Sequence, residues 1–326
     1  MNRTMRKKYD ITQCALYKCR NKKRLARLLR MNSAEFQQIE DIVKYYSFSK
    51  DKKDGEKRKI TAPENDLKRI QRRILNLLAN VSRPDWLISG ERGKSYLDNG
   101  KVHQNSDYFL TVDVRKFYDN CRRGQVYKFF TDIMCTERDI ACILTDITTF
   151  EGKVPTGCPS SQLIAYYAYQ DMFMEINKLA NKHGCIFTLY VDDMTFSSNE
   201  PFNPKLLSND IDIVLRRYGH RPKYSKVKYY SKDKFKIVTG IVVSKNHEIL
   251  VANNLRKKIY DGAMVVKQSK SNFNIIHIQE KEKKLRSLKG RLQAARSVNK
   301  RIFPEINRLV ENESNLVSLY IKKPEV

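Results

Sequence analysis

The chain has no run of 18 or more apolar residues, so no membrane-spanning helix is expected. Its basic start, Met1-Asn2-Arg3-Thr4-Met5-Arg6-Lys7-Lys8, is not followed by an apolar stretch, so no signal peptide is expected. Cys-x-x-Cys is also missing. The seven cysteines (Cys14, Cys19, Cys121, Cys135, Cys142, Cys158, Cys185) are scattered and odd in number, which points to neither a zinc site nor a disulfide framework. A reducing, cytoplasmic setting fits that usage. No internal repeat or low-complexity linker divides the chain. Acidic residues are scarce: 36 Asp and Glu face 63 Lys and Arg, for a net charge of +27. An imbalance of that size predicts a polyanionic partner, nucleic acid before a membrane surface.

What the chain has in quantity is core-forming material. Hydrophobic residues make up 41% of 326, with 18 Tyr and 14 Phe, enough for a sizeable folded core in one large domain or several lobes. Periodicity predicts helices within residues 1–46, 64–80, 124–149, 162–182 and 205–218, and a mostly helical, basic stretch from Asn253 onward. Asn32-Ser33-Ala34-Glu35 reads as a helix start with Ser33 as N-cap. Residues 45–59 turn polar and charged, as at a hairpin tip. Strands are expected at 106–118, at 186–198 as strand, turn and strand, and at 234–243 with Gly240 inside. Pro155, Gly157 and Pro159 mark 152–161 as a loop that opens a helix, so its N–H groups could face an anion. Between Lys281 and Arg308 ten basic residues, Lys284 and Arg291 among them, face only Glu282 and Glu305. Phosphate contact and salt-sensitive binding are the expectation there. The interspersed strands and helices, with strands joined by hairpins, predict an α+β fold carrying an antiparallel sheet.

Tyr190-Val191-Asp192-Asp193 carries the chemistry. Two adjacent carboxylates lie inside an apolar, β-prone run from Ile186 to Phe196. At ~4 Å such charges repel by roughly 4 kcal/mol at an effective dielectric near 20, and a divalent cation is the simplest compensation. Upstream, Phe109-Leu110-Thr111-Val112-Asp113-Val114 ends a second β-rich run on a carboxylate. Asp113 from one strand, with Asp192 and Asp193 from a hairpin turn, could share one metal site for nucleotidyl transfer. On these residues alone an ordinary solvated turn remains the alternative.

Asp113 in its strand, the Pro155-Thr156-Gly157-Cys158-Pro159-Ser160-Ser161 loop, Tyr190 to Asp193 and the basic strand beyond them follow one another as in reverse transcriptases. The resemblance spans roughly residues 55–245. Asn99-Gly100-Lys101-Val102-His103, similar to an Asn-Ala-x-x-His element, and Val238-Thr239-Gly240 narrow it to the bacterial retron type. The resemblance implies a right-hand polymerase architecture of fingers, antiparallel-sheet palm and helical thumb. It places N-terminal helices and fingers in 1–105, palm in 106–245 with a fingers insertion near 122–155, and a basic helical thumb in 246–326. It further implies that Asp113, Asp192 and Asp193, with the Val114 carbonyl, hold two Mg²⁺ ions. Tyr118 would be the steric gate that excludes a ribose 2′-hydroxyl. Arg58, Lys59, Thr156, Gly157 and Lys226 would face the incoming dNTP, Lys226 as a general acid. Asn99, His103, Val238, Thr239 and Gly240, with Lys284 and Arg291 of the basic tail, would hold a structured non-coding RNA.

The implied activity is RNA-directed DNA synthesis on that RNA, giving a branched RNA–DNA product in anti-phage defence with a separate effector protein. Thr156 replaces the usual Gln, Gln162 a usual Pro, and Val191 a common Ala. None of these removes a metal ligand. A defence-associated reverse transcriptase with different priming, or an RNA-binding scaffold without catalysis, are the alternatives.

Overall fold

Near-continuous burial along three short segments builds the sheet that positions the acidic residues. The computed structural model describes residues 7–51, 57–268 and 275–321. They fall into two compact units, one of residues 1–95 and 108–229, the other of 96–107 and 230–326.

In the first unit, β1 (Tyr45–Asp51) and β2 (Lys57–Pro63) form a two-stranded antiparallel hairpin, in register from Tyr45 opposite Pro63 to Asp51 opposite Lys57. The central sheet comprises β3 (Tyr108–Asp113), β4 (Ile186–Tyr190), β5 (Asp193–Ser198) and β6 (Lys228–Tyr230), in the order β4-β5-β3-β6. Phe109, Leu110, Val112, Phe187, Leu189, Met194 and Phe196 are buried along it. Their β-branched and aromatic character suits a pleated surface covered on both faces. The helices Asn65–Leu78, Arg138–Thr148, Ser161–Ala168, Gln170–Lys182 and Pro204–Arg217 supply the rest of this core.

Several local outcomes differ from the sequence expectation. The helix expected to start at Ser33 is capped by Asn32: its Oδ1 accepts the Glu35 N–H at 2.8 Å, and Glu35 Oε2 accepts the Asn32 N–H at 2.9 Å. Counting from Asn32 puts Glu35 at the third helical position, which completes a capping box. The stretch 124–149 is not one helix. It runs through Arg123–Lys128, a wider turn at Phe129–Ile133 and Arg138–Thr148, with Cys135 at φ 50° between them. The stretch 162–182 breaks at Tyr169, whose hydroxyl donates to the Asn120 carbonyl at 2.8 Å and accepts from the Arg122 amide at 3.1 Å.

The second unit holds the helix Tyr96–His103, a three-stranded antiparallel sheet and three long helices. The sheet is β7 (Lys236–Val238), β8 (Ile241–Val243) and β9 (Ile249–Val251). The single strand expected at 234–243 is therefore a hairpin. Thr239 at φ 45° and Gly240 at φ 97° form its two-residue turn, and positive φ at both positions matches the right-handed twist of the flanking strands. The helices Asn253–Gln268, Ile275–Val298 and Pro304–Ile321 enclose a separate core of Ile259, Val266, Leu285, Leu288, Leu292 and Val310. Among the described residues no helix is long and apolar enough to cross a membrane.

Candidate active site

Antiparallel pairing of β3 with β5 sets Asp113 opposite Asp193. The β4–β5 hairpin closes with Tyr190 opposite Asp193, leaving Val191 and Asp192 as its turn. Folding thus brings the three carboxylates, distant in sequence, to one end of the sheet. The Asp192 carbonyl accepts the Val114 N–H at 3.0 Å, fixing the turn to the strand beside it.

Beyond the sheet the segment 221–223 continues the ladder on the other side of Asp113. Arg115 N donates to the Arg221 carbonyl at 2.9 Å and Lys223 N to the Asp113 carbonyl at 2.7 Å. Val114 faces Pro222 across this bridge as a non-hydrogen-bonded pair, so the missing N–H of proline costs nothing. The Val114 N–H and C=O both point instead to the Asp192 side.

Burial, then the charges of Asp192 and Asp113, push the Asp193 carboxyl up to about 7. Lys226 Nζ is ion-paired with Asp113 Oδ2. Burial pulls the Lys226 ammonium down, but the hydrogen bond and charge of Asp113, with Asp193 and Asp192, outweigh it and hold the ammonium above its ordinary range. One lysine against three carboxylates leaves a site short of positive charge, which is the donor chemistry a hard divalent cation requires. Among the described residues no group of three or more His, Cys, Asp or Glu side chains is yet gathered tightly enough to hold an ion. The acids fit such an ion by chemistry and placement, with Lys226 standing on one of them.

Tyr118 follows one short turn after β3, where Lys116 at φ 49° redirects the chain. Its ring packs against Phe117 at 5.5 Å. Gly157 donates its N–H to the Thr61 carbonyl of β2 at 2.9 Å. That amide is therefore committed to protein and not aimed at an anion, as the loop's position before a helix had suggested. A Cβ on Gly157 would lie 2.6 Å from the same carbonyl, so only glycine fits there. Thr156 beside it is half-buried, and Lys59 is exposed on β2 opposite Ser49. Arg58 lies in β2 opposite Lys50, but its side chain lies outside the described residues.

The two short elements assigned to RNA lie together in the second unit. Asn99 Nδ2 donates to Thr239 Oγ1 at 3.2 Å. Asn99, His103 and Val238 are fully buried, whereas Gly240 is exposed. Burial pulls the His103 imidazole down to about 3, so it is neutral near pH 7. On the long helix, Lys284 is paired with Glu280 at 2.9 Å and Arg291 donates to the Lys258 carbonyl at 3.1 Å.

Sequence reasoning missed two residues around this site. Ser89 Oγ accepts the N–H of Val191, inside the acidic turn, at 2.7 Å. Its only sequence signal was the Ser-Gly pair after an apolar stretch, which reads as a turn. His220 is buried between the Phe117 and Tyr169 rings, and burial pulls its imidazole down to about 4.

A family model described as reverse transcriptase (RNA-dependent DNA polymerase) matches residues 50–259. The chain belongs to the reverse transcriptase family, and its enzyme class is RNA-directed DNA polymerase, built on the right-hand polymerase fold. Its curated relatives narrow the class to retron-type reverse transcriptases. The chain is 27% identical over 234 residues to the retron Ec83 reverse transcriptase of Escherichia coli, covering 68% of this chain and 75% of that protein. It is 30% identical over 158 residues to the Escherichia coli retron Ec86 reverse transcriptase, covering 48% and 49%. It is 26% identical over 164 residues to the retron Se72 reverse transcriptase of Salmonella heidelberg, covering 50% and 43%. It thus spans three quarters of the first relative but about half or less of the other two. Members of the family generally use divalent metal ions.

Proposed function

We propose that this chain is a retron reverse transcriptase that binds a structured non-coding RNA and copies part of it into DNA by two-metal nucleotidyl transfer. The observation that carries the reading is the register pairing of Asp113 with Asp193 beside the Asp192 turn. Asp113, Asp192 and Asp193, with the Val114 carbonyl, would hold two Mg²⁺ ions. Those ions, when bound, supply activation of the primer hydroxyl and neutralisation of charge on the triphosphate.

The protein's own side chains supply the rest. Tyr118 restricts space at the sugar. Arg58, Lys59, Thr156 and Gly157 line the approach of the dNTP. Lys226 is poised to release Asp113 and protonate the departing pyrophosphate. The Asn99–Thr239 contact holds the Val238-Thr239-Gly240 corner as a rigid element. The exposed Gly240 end of that corner, with the basic helix bearing Lys284 and Arg291, is offered to the RNA. Palm chemistry is assigned to residues 106–245 and the thumb to 246–326. The product is a DNA joined to its RNA template, in a cytoplasmic defence system with a separate effector protein.

D192N/D193N is expected to abolish dNTP incorporation on an RNA template while RNA affinity changes by less than about threefold. Retained incorporation by that variant refutes the site. Sequencing the nucleic acid that co-purifies with the protein tests the retron reading. One structured RNA joined to DNA supports it, and a random RNA pool argues for a reverse transcriptase with different priming.

A further inference from the structure

Val191 occupies the first position of the acidic turn at φ 61°. A β-branched residue rarely adopts this left-handed region, where its Cβ crowds the neighbouring carbonyl oxygen. Such a conformation persists only where its surroundings over-determine it. Two hydrogen bonds hold this turn from opposite sides. Val114 N–H grips the Asp192 carbonyl at 3.0 Å. Ser89 Oγ grips the Val191 amide at 2.7 Å, the residue immediately before both turn acids.

Ser89 is itself fixed. It is buried, with 5% of its surface exposed. The residues before it run alongside β4: Leu189 N donates to the Trp86 carbonyl at 2.8 Å and Ile88 N to the Leu189 carbonyl at 3.0 Å. Gly90 follows at φ 75°, turning the chain away. Glu91 then anchors it through a buried ion pair with Arg83 and a second to Lys8 at 2.9 Å. The hydroxyl that this segment presents to the turn is held on both flanks by main chain and charge.

We infer that Ser89 is a positioning residue for the reaction: its hydroxyl holds Val191 in the left-handed conformation that aims Asp192 and Asp193 at the metal ions. The inference rests on the proposed role of those two acids. Ser89 touches no substrate. Its loss would let Val191 relax toward negative φ and swing the carboxylates out of line, which lowers the chemical step and loosens metal binding without touching the RNA or dNTP contacts.

The test uses the full chain with S89A, S89T and S89V. Threonine and valine add the same bulk and differ in the hydroxyl alone. We expect S89A and S89V to lower kcat at least about tenfold, with KM for dNTP and RNA affinity within about twofold. S89T should recover kcat to within about threefold of the native chain. Mn²⁺ titration followed by electron paramagnetic resonance, without dNTP, should show at least about threefold weaker binding in S89A. The inference is overturned if S89A keeps kcat within twofold of native, or if S89T loses as much as S89V. Should S89A not fold, the comparison of S89T with S89V decides. D192N/D193N separates the two ideas. If it still polymerises, the site assignment itself has failed. If it is inactive while S89A is fully active, only the role of Ser89 has.

Discussion

At the scale of single residues, this site is a problem of like charge on a sheet end. Asp113, Asp192 and Asp193 gather where burial and mutual repulsion lift Asp193 to about 7, and Lys226 relieves only part of that. Under the proposed two-metal reading, a bound cation would offset this cost. Tyr118 belongs to the same neighbourhood through chain continuity: Asp113 ends β3, and Tyr118 sits in the one-turn helix Phe117–Asn120 just beyond. Its ring is buttressed by Phe117, which also packs against Tyr169 and His220. On the proposed gate role of Tyr118, Y118A should leave the fold intact while opening the sugar site. We expect the preference for dNTP over the matching rNTP, read as the ratio of kcat/KM values, to fall at least about tenfold, or ~1.4 kcal/mol. An unchanged ratio would show that another group excludes the 2′-hydroxyl.

At the scale of elements, two short motifs that a sequence reading assigns to RNA turn out to be packed against each other. Helix Tyr96–His103 lies on β8, and Gly100 makes this possible. A Cβ there would sit 2.7 Å from Ile241 Cγ1 and closer still to Cδ1. Glycine in place of the common Ala thus reads as the partner of a large residue at 241, a volume exchange across one contact. G100A should destabilise the protein by roughly 1–3 kcal/mol. G100A/I241V, which removes the nearer obstructing atom, Cδ1, but keeps a Cγ close to the new Cβ, should recover part of that loss in a thermal melt. A double variant no more stable than G100A would show that the contact is not what limits the site. The N-terminal cap shows the same dependence on detail. Shifting it from Ser33 to Asn32 by one residue changes Glu35 from an unassigned first-turn acid into half of a capping box.

At the scale of the whole molecule, two buried histidines make stability depend on pH. His103 and His220 are held near 3 and 4, below the ordinary value of 6.5. Above pH 7 both folded and unfolded chains carry them neutral and nothing is lost. As pH falls below about 6.5 the unfolded chain takes up protons that the folded chain refuses, so stability falls, by about 2 kcal/mol per histidine at pH 5. Asp193 acts in the opposite direction, because its raised value lets the folded chain bind a proton between pH 7 and 4. The difference between variants isolates the histidine: H220Q should lose about 2 kcal/mol less stability than the native chain between pH 7 and pH 5 in denaturant titrations. Equal losses would mean that His220 becomes protonated without unfolding.

The net charge of +27, the three acids in their order, the Pro-x-Gly loop and the apolar, β-prone runs that become β3, β4 and β5 were all legible in the sequence, because each is a composition or a local pattern. So were the α+β class and the family resemblance. Register was not. Only the folded sheet sets Asp113 opposite Asp193, because pairing between segments so far apart in the chain is decided by which faces find a common core. Nor did the sequence disclose that residues 96–107 pack with 230–326, that Val238-Thr239-Gly240 is a hairpin corner, or that Ser89 reaches the amide of Val191. Those are contacts between distant segments. Burial, close approach and the strained φ of one valine exist only once the chain has closed on itself.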